Sequence, residues 1–147
     1  GDDFDVEHLL NVRCTVVCRK GHRLQRIRTL SRLIGERWLV SSATGMMATD
    51  HDRFFLSQGL AVPTRVVQCD NSTAMMSLLA STDMLAILPR QWIDADLSRG
   101  VFAEIALDGA LPEVEIVLVS RRGLPLTPTA DAMLTLLRRQ LGYPRAA

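Results

Sequence analysis

Two short stretches hold most of the residues that could grip a small molecule. In "DNST", residues 70–73, Asn71, Ser72 and Thr73 stand where a helix would begin. Free backbone N–H groups and side-chain hydroxyls at such a start can hold a carboxylate or similar anion. The same residues also serve as plain helix caps. In "SSATGMM", residues 41–47, Ser41, Ser42 and Thr44 are donors, and Met46 and Met47 are an adaptable apolar wall. An ordinary strand-to-helix loop has the same composition.

Other chemistries fit less well. "SSATGMM" lacks the G-x-S-x-G elbow of a serine hydrolase and the lysine of a phosphate loop. His8, His22 and His51 form no recognisable nucleophile–base pattern, so no enzyme is expected. Cys14 and Cys18 in "CTVVC" read as a strand, where positions i and i+4 lie about 13 Å apart at ~3.3 Å per residue, too far for one zinc. Neither a metal nor another cofactor is expected. The acidic turn "GDDFDVE" lacks the ligand alternation of a calcium loop.

Composition sets the frame for these stretches. In 147 residues, 48% are hydrophobic and 22% charged, which is enough apolar material for a globular core. A net charge of +1 gives no electrostatic footprint for nucleic acid. No apolar run approaches the roughly 20 residues of a membrane span, and the acidic start is unlike a secretory leader. Three cysteines fit reduced thiols in a cytoplasmic protein.

The elements that must position the two stretches alternate along the chain. Strands are expected at 12–19, 37–42, 64–70, 84–89, 101–107 and 113–122. A short helical turn is closed by Gly35, and helices are expected at 49–60, with Thr49 as cap and Gly59 as stop, and at 71–81. A last helix at 127–142 has Thr127 as cap, Pro128 in its first position and Gly142 at its end. Strand–helix alternation with strands apolar on both faces predicts an α/β domain with a largely parallel sheet. Ligands bind such sheets outside the carboxyl ends of strands, which singles out 41–49 and 70–73.

The run "RCTVVCRKGHRL", then "LSRLIGERWLVSS", "FFLSQGLAVPTRVVQCDNSTAMMSLLASTDMLAILP" and "EIVLVSRRGLPLTPTADAMLTLLRR" resembles the effector-binding domain of LysR-type transcriptional regulators over about residues 10–141. "GHRL" carries Arg23 where the family usually has proline, and Thr82 and Met84 stand where it commonly has glycines. The resemblance implies a type 2 periplasmic-binding-protein-like fold. Residues 1–19 and 114–147 would be part of lobe I with hinge strands at 12–19 and 114–122, and 20–113 an essentially complete lobe II.

It further implies a ligand-sensing domain that binds a small-molecule effector, such as a carboxylate, between lobes. Ser41, Ser42, Thr44, Met46, Met47, Asn71, Ser72 and Thr73 are the expected contacts. A dimer or tetramer would pass the signal to DNA through a winged helix-turn-helix that has no counterpart in these residues. The other class considered is a lobe of an extracytoplasmic solute-binding protein.

Overall fold

The computed structural model describes residues 3–40, 46–94, 99–109 and 111–141. The chain forms two compact units, the larger spanning Val12–Val114 and the smaller joining Gly1–Asn11 to Glu115–Ala147.

In the larger unit, β2 (Trp38–Val40) pairs in parallel with β3 (Val66–Gln68) and bridges β4 (Ala86–Pro89) in parallel through Trp38 and Leu85. β4 and β5 (Phe102–Ile105) flank β1 (Phe4–Arg19), each antiparallel to it. The directions of β2, β3, β4 and β5 therefore agree, and β1 alone among these five runs against them. The mostly parallel sheet expected from the sequence is present, with one reversed strand that periodicity could not orient.

Side chains alternate across this sheet with a period of two, and both faces are buried. Val16, Cys18, Trp38, Ala103 and Ile105 pack with Leu30 and Leu33 of a 3-10 turn and with Phe54 and Phe55 of α1 (Met46–Ser57). On the opposite face Val17, Leu39, Ala86, Leu88 and Phe102 pack with Met75 and Leu79 of α2 (Ser72–Ser81). β3 departs from this pattern. It is the outer strand, all three of its residues are exposed, and it is shorter than the expected 64–70. A short helix, α3 (Gln91–Asp94), follows the proline stop of β4.

Helix ends follow local chemistry. The Asn71 side chain accepts from Ala74 N at 2.9 Å, capping α2. α1 ends in a Schellman motif: Gly59 N donates to Leu56 O, Leu60 N to Phe55 O, and Gly59 takes φ +68°. Its start differs from the sequence expectation. The helix begins at Met46, so Thr49 lies in its first turn; Met46, Met47 and Ala48 are strong helix formers that extend it.

The turn at Thr82–Met84 needs no glycine. No described non-glycine residue has positive φ, and Thr82 sits in extended backbone. Its hydroxyl donates to Leu78 O at 2.6 Å, closing α2, and accepts from Met84 N at 3.3 Å. A side-chain hydroxyl here does the work that backbone freedom does in a glycine turn.

In the smaller unit, the amino-terminal half of β1 and β6 (Glu113–Arg121) lie with α4 (Pro128–Gln140), which is capped by Thr127 and carries proline at its start. The expected stop at Gly142 lies outside the described residues. Arg122 bonds Asp5 at 2.8 Å, and Arg138 bonds Glu7 at 2.6 Å. This unit exposes Phe4, Val6, Val119, Leu124, Met133 and Leu136. No helix among the described residues is long and apolar enough to cross a membrane.

Candidate functional site

The carboxyl edge of the larger unit's sheet encloses a cavity. Leu39 and Val40 close β2, Ile87 and Leu88 come from β4, and Cys14 stands opposite Pro89 on β1. α1 contributes Asp50 and His51, the first turn of α2 contributes Met75, and Pro112 to Val114 complete the wall. Its water-accessible volume is about 40 Å³, room for a few water-sized groups.

His51 is the unusual group. It is only 4% exposed and sits within α1. Its ring centroid lies 5.4 Å from that of Trp38 and 5.0 Å from that of Phe55. Nδ1 lies 3.0 Å from Asp52 Oδ1. Nε2 is buried with no hydrogen-bond partner, alone in this among the described side-chain nitrogens and oxygens. Buried polar atoms are nearly always paired, which makes this nitrogen an exception.

The other polar groups set the electrostatics. Burial, helped by the charge of Asp50, pushes the Cys14 thiol up to about 11, so at neutral pH it is a protonated, unreactive wall group. Cys18 is pushed to about 11, chiefly by burial, and donates to Ala103 O at 3.5 Å inside the core. Asp50 and Glu113 are partly exposed carboxylates that engage Arg53 at 3.4 Å and Arg13 at 3.5 Å. Among the described residues no group of His, Cys, Asp and Glu could hold a metal ion.

Of the expected contacts, the described Asn71, Ser72 and Thr73 do not line this cavity. Ser41, Ser42 and Thr44 follow Val40 directly and lie outside the described residues, while Met46 and Met47 open α1. Asn71, Ser72 and Thr73 sit at the start of α2, all exposed, one turn before the cavity residue Met75. The Asn71 carbonyl oxygen is already committed to the cap. His51, Cys14 and Met75 were not expected as site residues. A buried histidine one residue after the charged Asp50 carries no local signal, because its neighbours come from β2 and the rest of α1.

A mostly parallel sheet with helices on both faces, a reversed strand shared by two units and a cavity at the carboxyl edge together define a binding-protein-like α/β fold. The sequence model described as LysR substrate binding domain matches residues 1–142, and the chain belongs to that family.

The chain is 29% identical over 140 residues to the HTH-type transcriptional regulator GalR of Pseudomonas putida, covering 93% of this chain and 35% of that protein. It thus spans about a third of the length of that curated relative. The CcmR regulatory domain of Synechocystis, solved in complex with 2-PG, superposes with a TM-score of 0.73 at 15% identity, over 95% of this chain and 67% of that one. The AmpR effector binding domain of Citrobacter freundii gives 0.73 at 18% identity, over 97% and 70%. These structural likenesses establish the fold.

Proposed function

We propose that this chain is the ligand-sensing part of a bacterial DNA-binding transcription regulator, and that its ligand enters the cavity at the carboxyl edge of the larger unit's sheet. The observation that carries this is the cavity itself: largely apolar walls with Asp50, His51 and Glu113 among them, where α/β sheets receive ligands. Membership of the LysR substrate binding domain family supports a regulator over a solute-binding lobe. So does the relative's description as a transcriptional regulator. The domain complexed with 2-PG supports a small-molecule ligand.

In this reading, 1–19 and 114–147 form part of lobe I with hinge strands, and 20–113 form lobe II. The ligand contacts in this reading are Ser41, Ser42, Thr44, Met46 and Met47 from one stretch and Asn71, Ser72 and Thr73 from the other. A ligand carboxylate sits at the start of α2, where N–H groups face outward. Ligand binding favours one of two lobe arrangements, and a dimer or tetramer passes that bias to a DNA-binding domain outside these residues, in the cytoplasm. In this reading the role is binding, in keeping with membership of a regulator family.

A thermal-shift screen of small hydroxylated and carboxylated aromatic and aliphatic compounds tests this. A compound at 100 times its Kd stabilises by about 2.7 kcal/mol. Val114→Trp, which fills the cavity from its half-buried wall, should abolish the shift while the variant still melts cooperatively. Equal shifts in both proteins would place binding elsewhere.

A further inference from the structure

We infer that the amino edge of the larger unit's sheet carries a second ligand site, at which Arg37 and Arg65 together grip a phosphate group. It lies at the opposite edge from the cavity and does not depend on that cavity binding anything.

The backbone places the two guanidiniums. Arg37 directly precedes β2 and Arg65 directly precedes β3, and the parallel register sets Trp38 beside Val66, so the two arginines stand opposite each other. Trp38 N donates to Arg65 O at 2.8 Å, and Leu85 N donates to Arg37 O at 2.9 Å. The roots of both side chains are therefore fixed by the starts of three adjoining strands. Neighbouring strands lie about 4.8 Å apart, within reach of two guanidinium forks that close on one anion. Both arginines are exposed, and both line a depression with Arg23, Glu36 and Asp83.

The charge balance leaves these two in surplus. Arg23 takes Glu36, and Arg19 takes Asp83, its Nε and Nη2 donating to Oδ1 at 2.8 and 2.7 Å. Four arginines thus meet two carboxylates. Among the described residues the Arg65 side chain bonds only the neutral Gly35 O, at 3.3 Å, and the Arg37 side chain has no partner. A single solvated arginine is ordinary. Two held opposite each other repel, and an anion between them replaces that repulsion with two attractions.

The class of anion follows from the forks. A phosphate offers several oxygens to two guanidiniums at once, and as a dianion it matches a surplus of two. The depression, about 210 Å³, has room for a phosphate with a small substituent. Free phosphate and a phosphate monoester share this chemistry.

Inorganic phosphate, phenyl phosphate and succinate, titrated into the full chain at one fixed ionic strength, separate the outcomes. Phosphate should bind saturably and move the backbone amide resonances of Arg37, Arg65 and Asp83. Succinate should bind about tenfold more weakly. Arg37→Ala and Arg65→Ala should each weaken phosphate binding about tenfold. Arg26→Ala, which removes an exposed charge outside the depression, should leave it unchanged. Arg37→Lys, which keeps the charge without the fork, should recover only part of the affinity. Tighter binding of phenyl phosphate than of phosphate supports a monoester as the ligand, and equal or weaker binding supports free phosphate. The resonances give an answer without any substitution, should the variants fold poorly.

Shifts that never saturate, equal losses in Arg26→Ala and Arg37→Ala, or full recovery in Arg37→Lys would reduce the depression to general positive charge and overturn the inference. Succinate binding as tightly as phosphate would overturn it in favour of a dicarboxylate.

Discussion

The two ends of the larger unit's sheet differ in how completely they satisfy themselves. At the amino edge, Arg23, Glu36, Arg37, Arg65, Thr82 and Asp83 surround a depression of about 210 Å³, several times the volume at the carboxyl edge. Most of its groups are matched internally. Arg23 pairs with Glu36, Arg19 holds Asp83 at 2.7 Å, and Arg65 donates to Gly35 O. The contrast is sharpest between two histidines, each 4% exposed. His22 Nδ1 accepts from Leu24 N at 3.1 Å, which leaves Nε2 to donate to Asp83 O at 3.3 Å. His51 has one nitrogen matched and one orphaned. Volume and unsatisfied valence therefore do not go together in this unit.

The largest expected effect tests that contrast directly. His22→Ala removes two matched bonds and leaves Leu24 N and Asp83 O without their partner, at a cost of about 3 kcal/mol in urea unfolding. Trp38→Phe follows, at about 1.5 kcal/mol, because the indole's donation to Leu33 O at 3.0 Å is lost inside the core. Asn71→Ala should cost about 1 kcal/mol through the lost cap on α2, measured the same way.

His51→Phe should cost less, about 0.5 kcal/mol, since the only bond it loses goes to the exposed Asp52. A cost matching that of His22→Ala would mean the two histidines are equally structural. The smallest effect concerns acid. The hydrogen bond from Arg19 holds Asp83 below the usual carboxylate range. A carboxylate so lowered favours the folded state above its ordinary value, about 3.9, and the contribution fades as pH falls through the lowered one. The difference in Tm between the native chain and Asp83→Asn should therefore hold steady down to about pH 4 and close below it. A difference that persists in stronger acid would remove the ion pair as its cause.

Much of the core was legible because its signals are local. "RCTVVCR", "AILP" and "FAEI" are apolar runs, and Gly59, Asn71, Thr127 and Pro128 each punctuate a helix through their own backbone chemistry. The first half of β1 was missed because "FDVEHLLN" is acidic and largely exposed. Asp5 and Glu7 are matched by Arg122 and Arg138, more than a hundred residues away. β3 is shorter than the expected 64–70, and its apolar residues belong to an outer strand rather than a doubly covered one.

The sequence by itself determined the family and the α/β alternation. Periodicity, caps and motif order depend on neighbours within a few residues. Only the tertiary structure decided which groups line the cavity at the sheet's carboxyl edge. Cys14, Val40, His51, Met75, Leu88 and Val114 come from six separate places along the chain and meet where their strands and helices end. Whether a nitrogen is matched or orphaned is a property of that meeting, because burial and partners exist only once the chain has closed around them.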